Sequence, residues 1–340
     1  RDVDHTKIMV FYPKDGVSEI QKLQMVTQEG SNVSVYAVLG NFDDAQTGVK
    51  RIFSDEAIRA QLLERGYFLS SANSINWGRV LPQVVYYVSV CCDLVRDGKL
   101  KEGEKVNLCV PTGNFGNILS AYYAKCMGAP IGRLICASNR NDVLTEFLRT
   151  GVYDRNRPFY TTMSPSMDIL ISSNLERLLY ALSDGNDAEV RSYMKQLNAE
   201  GRYQVSDTVL AKVRKLFWAG SCGEEDTMDT IRRYYTQRNY LMDTHTAVAA
   251  HVLEQYRAES GDGGPAVIVS TASPYKFCSP VLRAIGAVPA GDGVELIAQL
   301  QEATGVKAPW RLAELGGKAV RFTESTEKHA MEQVVLDYLN

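Results

Sequence analysis

The apolar run Val106–Val110 leads into Pro111-Thr112-Gly113-Asn114-Phe115-Gly116-Asn117 and then into the amphipathic stretch Ile118–Met127. A strand, a glycine-punctuated turn and a helix start in that order belong to a parallel α/β sheet. Glycines at 113 and 116 let the backbone turn tightly and approach a ligand, while the new helix offers unpaired N–H groups and a partial positive charge. Thr112, Asn114 and Asn117 add side-chain donors, so the turn suits a phosphate. An ordinary strand-to-helix turn with an Asn cap has the same spacing. Neither G-x-x-x-x-G-K-[ST] nor G-x-G-x-x-G is present in it, which turns attention from nucleotides to another phosphorylated cofactor.

The rest of the chain repeats the alternation. Lys7–Tyr12 is β-rich, Ser18 caps a helix over Glu19–Thr27, Val33–Leu39 is a second strand, and Asn41-Phe42-Asp43-Asp44 opens a helix to about Phe53. The polar run Ser70–Asn76 precedes a long apolar helix, Trp77–Val95, in which Pro82 predicts a kink. A domain crossing is expected there, with 1–70 in a smaller α/β domain and 71–340 in a large cofactor-binding domain with C-terminal helices. Strand 106–110, helix 118–127, strand Arg133–Cys136 and helix Asp142–Arg149 follow, then a Pro- and Tyr-containing loop over 151–165 and helices to about Gln255. Ala266–Ser270 is a short strand, and the tail carries two helical patterns around Gly316-Gly317. A doubly wound sheet binds ligands at the carboxyl ends of its strands, where the turn 112–117 and Thr271 both fall.

Composition narrows the partners. In 340 residues, 45% are hydrophobic and 23% charged, values of a chain with a well-filled interior, and a net charge of −3 without a basic block argues against nucleic acid and anionic membranes. No apolar run is long enough to span a bilayer. Seven cysteines lie mostly in apolar runs without a C-x-x-C pair, as reduced core residues of a cytoplasmic protein would. Four dispersed histidines give no expected metal site.

Other clusters admit two readings each. Thr271 could present a hydroxyl to a cofactor ring or cap the helix near Pro274. Asn73, Ser74, Asn76 and Arg79 could bind an anionic substrate or form a capped helix start with a solvated arginine. Asp243-Thr244-His245-Thr246-Ala247 places a histidine in a polar turn, where a structural role and an N-cap are the simpler reading. Lys14-Asp15 and Lys276 lie near expected cleft edges, and solvation explains them equally well.

Taken in order, these strings resemble threonine synthase of the bacterial and fungal form. The carriers are Phe11-Tyr12-Pro13-Lys14-Asp15-Gly16-Val17-Ser18 with Gln24-Met25, Asn41-Phe42-Asp43-Asp44, Asn73-Ser74-Ile75-Asn76-Trp77-Gly78-Arg79, Pro111–Asn117, Asp243–Ala247 and Ser270-Thr271-Ala272-Ser273-Pro274-Tyr275-Lys276-Phe277. The resemblance implies a fold type II pyridoxal-phosphate architecture, parallel or mixed sheets flanked by helices in a small and a large domain. It implies that Gly113, Asn114, Phe115, Gly116 and Asn117 receive the phosphate of pyridoxal 5'-phosphate and that Thr271 faces its pyridine nitrogen. Asn73, Ser74, Asn76 and Arg79 are then expected near the substrate. It implies conversion of O-phosphohomoserine and water to threonine and phosphate.

One departure from the pattern stands out. The Phe-Lys-Asp motif with the Schiff-base lysine and the Ser-Gly-Asp-Thr-Gly motif, which family members carry upstream of the segment matched by Lys7–Ser18, are not found. The expectation is therefore a C-terminal portion, inactive alone, in which no lysine takes the catalytic part. A non-catalytic homologue binding a phosphorylated metabolite or a protein, or a sibling pyridoxal-phosphate lyase, are the alternatives. Apolar surface that the missing part would cover is expected to be exposed.

Overall fold

The structure, a computed structural model, describes residues 2–14, 17–40 and 42–339, without the side chains of Phe42 and Asp43. Asp15, Gly16 and Asn41 of the quoted strings lie outside the described residues. Nine strands, β1 (Ile8–Pro13), β2 (Val33–Leu39), β3 (Val106–Pro111), β4 (Ile131–Ser138), β5 (Val152–Asp154), β6 (Arg202–Gln204), β7 (Phe217–Ser221), β8 (Ala266–Ile268) and β9 (Ser325–Glu327), form three sheets among these residues. Two sheets are wholly parallel, and β5 and β6 make a small antiparallel pair. The fold is α/β with parallel sheets flanked by helices, as the order of elements implies.

The chain divides into two compact units, one of Arg1–Ser70 with Val288–Asn340 and the other of Ser71–Ala287. The expectation of a single domain over 71–340 is thereby corrected. Val288–Asn340 returns to the first unit because β9 pairs in parallel with β2, Ala37 opposite Ser325, in the sheet order β1-β2-β9. Met331 anchors the same return. It is fully buried among Val38, Ala45, Ile52 and Leu62, and Gly48 leaves the space that its sulfur fills. Upstream in this unit, Ser18 and Gln21 form a reciprocal cap at the helix Glu19–Val26, each side chain accepting the other's backbone N–H.

In the second unit the sheet order is β7-β4-β3-β8. All six residues of β3 are buried, the mark of a parallel strand covered on both faces. Its side chains alternate between two apolar clusters: Leu108 and Val110 join Leu134 and Cys136 of β4 on one face, and Cys109 joins Ile135 and Ala137 on the other. The first cluster includes the helix Gly116–Cys126 through Ile118, Leu119 and Ala121, the second the helix Thr244–Ser260 through Val248, Ala249 and Val252. Each fully buried leucine or valine here contributes about 1.5–3 kcal/mol through removal from water. β8, at the sheet's edge, is only half-buried.

Three strands lie where a loop and helices were expected. β5 falls in the loop over 151–165, and β6 and β7 in the region read as helical. β7 escaped notice because Leu216 runs into Phe217 with no glycine or proline to mark the change from helix to strand. The helix Trp77–Arg96 runs continuously through Pro82.

Candidate functional site

At the carboxyl end of β3 the Thr112 amide donates to Ala137 O at 2.8 Å, and its hydroxyl donates to Val110 O at 2.7 Å. That buried hydroxyl is spent on the strand rather than offered to a ligand. The chain then turns at Phe115, which adopts φ 61° and ψ 3°. A left-handed conformation at a residue with a Cβ costs about 1–2 kcal/mol. The Phe115 ring offsets it by burial against Phe217, at a centroid distance of 5.8 Å. Phe115 can therefore offer only its backbone.

The glycines serve close packing within the protein. A Cβ on Gly113 would lie 2.7 Å from Ser166 O, and one on Gly116 would lie 3.3 Å from Asn174 Nδ2. The side chains of Asn114 and Asn117 are oriented by donors behind them: Ser173 Oγ donates to Asn114 Oδ1 at 3.2 Å, and the Tyr87 hydroxyl donates to Asn117 Oδ1. Burial pushes the Tyr87 phenol well above its ordinary value, which keeps it a donor. With both Oδ1 atoms engaged, both Nδ2 groups are left without a partner among the described residues. The amides of Gly113, Asn114, Phe115, Gly116 and Asn117 likewise donate to no described residue. Five free backbone donors and two free amide side chains at a helix N-terminus make an anion cradle.

Asn174, which the sequence did not single out, ties this turn to the Asn73–Arg79 segment. Its side chain is fully buried and its Nδ2 donates to Asn114 O at 2.9 Å and to Ser74 O at 3.1 Å. Ser172 Oγ donates to Gly113 O at 2.9 Å, so the stretch 166–174 lies along the whole turn. Polar residues in a Ser- and Pro-containing loop carry no sequence signal of burial.

Within 73–79, Asn76 is the helix cap, its Oδ1 accepting the Gly78 N–H at 2.7 Å while its Nδ2 donates to Ser71 O. Arg79 is exposed, with one guanidinium nitrogen donating to Ala72 O at 2.9 Å. Asn73 is exposed and Ser74 half-buried, the latter closest to the cradle through Asn174.

After β8 the Val269 amide donates to Cys109 O at 2.9 Å, which keeps Ser270 and Thr271 beside the end of β3. The capping role falls to Ser273, whose Oγ accepts the Tyr275 N–H at 3.3 Å in the short helical turn Pro274–Lys276. Thr271 is exposed and its hydroxyl has no partner among the described residues. Lys276 closes that helical turn. His245, expected in a polar turn, is buried in the first turn of Thr244–Ser260, with Asp243 as N-cap.

The profile of the family "Threonine synthase, C-terminal" matches residues 246–335. The chain is 42% identical over 286 residues to threonine synthase-like 1 of Macaca fascicularis, a match covering 84% of this chain and 38% of that protein. It thus spans well under half the length of that relative. The crystal structure of PLP-bound threonine synthase from Brucella melitensis superposes with a TM-score of 0.83 at 35% identity, over 99% of this chain and 66% of that one. Threonine synthase from yeast gives a TM-score of 0.82 at 30% identity, over 100% of this chain and 71% of that one. On these similarities, with the fold type II architecture they share, the chain belongs to the threonine synthase family.

Proposed function

We propose that this chain supplies the cofactor and substrate contacts of a threonine synthase, which converts O-phosphohomoserine and water to threonine and phosphate. The observation that carries the reading is the cradle of unpaired donors at 113–117 beside the unpartnered Thr271 hydroxyl, one after β3 and one after the neighbouring strand β8. Pyridoxal 5'-phosphate fits that pair of clamps. The amides of Gly113, Asn114, Phe115, Gly116 and Asn117 and the Nδ2 groups of Asn114 and Asn117 would hold its phosphate. Thr271 would face the pyridine nitrogen, where a neutral hydroxyl, unlike a carboxylate, would not hold that nitrogen protonated. When bound, the cofactor supplies an electron sink for carbon–hydrogen bond cleavage next to the substrate's amino group.

The protein's part is orientation. Ser74, coupled to the cradle through Asn174, and Asn73, Asn76 and Arg79 around it hold the anionic substrate, with Arg79 the only formal positive charge among the four. Asn76 acts through its cap, which fixes the start of the helix Trp77–Arg96.

A second reading has an observation of its own. The unpaired amides at 113–117 suit the phosphate of any small metabolite, which favours a homologue that binds a phosphorylated metabolite without turning it over. Threonine formation from O-phosphohomoserine separates the two. The assay compares this chain with the same chain joined to whatever its gene encodes ahead of Arg1, both with added pyridoxal 5'-phosphate. Activity in the longer protein alone is expected. Cofactor binding without activity in either would replace the first reading with the second.

A further inference from the structure

The two clamps converge on one buried carboxylate. Asp243 is fully buried and takes no part in the contacts assigned above. Its Oδ1 accepts the His245 N–H at 2.8 Å and lies 3.0 Å from His245 Nδ1. On the far side of that ring, Nε2 accepts the Ser166 N–H at 3.3 Å. Since an acceptor at Nε2 must carry a lone pair, the ring proton sits on Nδ1 and is donated to Asp243. Phe277 packs against the imidazole at 4.8 Å and holds its plane. Ser166 is the residue whose carbonyl fills the space beside Gly113. One arm from Asp243 therefore ends at the phosphate turn.

The other arm ends at the ring side. Asp243 Oδ2 accepts from the Thr246 hydroxyl, and Thr246 Oγ1 lies 3.1 Å from Ser270 Oγ. Thr246 has one hydroxyl proton, and the charged carboxylate is its stronger acceptor. Thr246 is the donor toward Ser270 Oγ as well, so its single proton lies between the carboxylate and the residue directly before Thr271.

We propose that Asp243 is a positioning residue that sets both clamps, the phosphate turn through His245 and Ser166 and the Thr271 hydroxyl through Thr246 and Ser270. This rests on the cofactor reading above. The two arms diverge at the carboxylate, so each can be cut separately. His245→Leu removes the acceptor for Ser166 and leaves the Thr246 arm intact. Thr246→Val keeps the side chain's outline, removes the hydroxyl that reaches both Asp243 and Ser270, and leaves the His245 arm intact.

The test is the binding of pyridoxamine 5'-phosphate and of pyridoxamine to this chain by calorimetry. Neither ligand has an aldehyde to react with surface lysines. The wild-type chain is expected to prefer the phosphorylated ligand. His245→Leu should shrink that preference roughly tenfold, the size of one lost positioning hydrogen bond, and leave pyridoxamine affinity unchanged. His245→Gln, whose Oε1 can accept the Ser166 N–H, should restore part of it. Thr246→Val should weaken both ligands by the same factor. If the wild-type chain shows no preference for the phosphate, the cofactor reading itself fails. If the preference is present but His245→Leu retains it, or lowers both affinities equally alongside a fall in melting temperature, the positioning role is overturned while the cofactor reading stands.

Discussion

β3 and β8 lie side by side in one parallel sheet and deliver residues to the same edge of it, yet they are built to opposite standards. Every residue of β3 is buried, and the turn after it is lined by Ser166, Ser172, Ser173, Asn174 and Tyr87. β8 has three half-buried residues, and the chain beyond it passes Val269 to an exposed serine and threonine. The difference follows from the tasks assigned to each. A cradle of backbone amides works only if the backbone cannot relax. A single hydroxyl needs only a fixed rotamer, which one neighbour can provide.

Truncation at the two strands should widen this contrast most. Leu108→Ala, in the middle of β3 with 1% of its surface exposed, should lower stability by about 2–5 kcal/mol. Ile268→Ala in half-buried β8 should lose less than half as much in the same urea titration, and equal losses would show that the edge strand is as well covered as the centre. A paired glycine substitution comes next. Gly113→Ala forces a backbone carbonyl aside and should cost about 1–3 kcal/mol. Gly263→Ala, three residues before β8 in open space, should stay within about 0.5 kcal/mol of the wild type. Comparable melting temperatures for these two variants would remove the claim that the turn is tightly packed.

The smallest effect concerns the link between the strands. Asp262, just before β8, accepts from Asn107 Nδ2 of β3 at 2.8 Å, from the Tyr256 hydroxyl at 2.7 Å and from the Gly264 N–H at 2.8 Å. These donors, the Tyr256 hydroxyl foremost, hold its carboxyl below the usual range. The stability it lends is fully present above the unfolded carboxylate range and is lost as pH falls through the lower folded value. Asp262→Asn should therefore lower the urea midpoint at pH 7, with the gap to wild type closing as the solution is acidified. A gap that persists at pH 2 would assign the effect to packing instead of charge.

Much of the centre of this sheet could be read from the chain itself. Val106–Val110 announces a doubly covered strand because both of its faces must be apolar, and the turn 111–117 declares itself through glycines between a strand and a helix. Ser18 likewise marks a helix start, and Gln21 completes that cap in the structure. What escaped notice was decided by partners distant in sequence. Nothing about Asn174 distinguishes it from a surface asparagine until Asn114 and Ser74 lie beside it. Ser325–Glu327 is too short and too polar to read as a strand, and only β2 makes it one. The free hydroxyl of Thr271 also needed the structure, since Ser273 and Thr271 are equally good caps on paper.

The return of Val288–Asn340 to the first unit has a bearing on the order of assembly during synthesis. β1 and β2 leave the ribosome before the central unit, but the third strand of their sheet and the methionine that fills the space at Gly48 come only after the whole of Ser71–Ala287. The central unit is contiguous and can close while translation continues. The first unit must wait with Val38 and Leu62 uncovered on the side Met331 will occupy. A pause or premature stop late in the message would thus leave a finished central unit attached to an unfinished, adhesive one, a form that quality-control proteases are suited to remove.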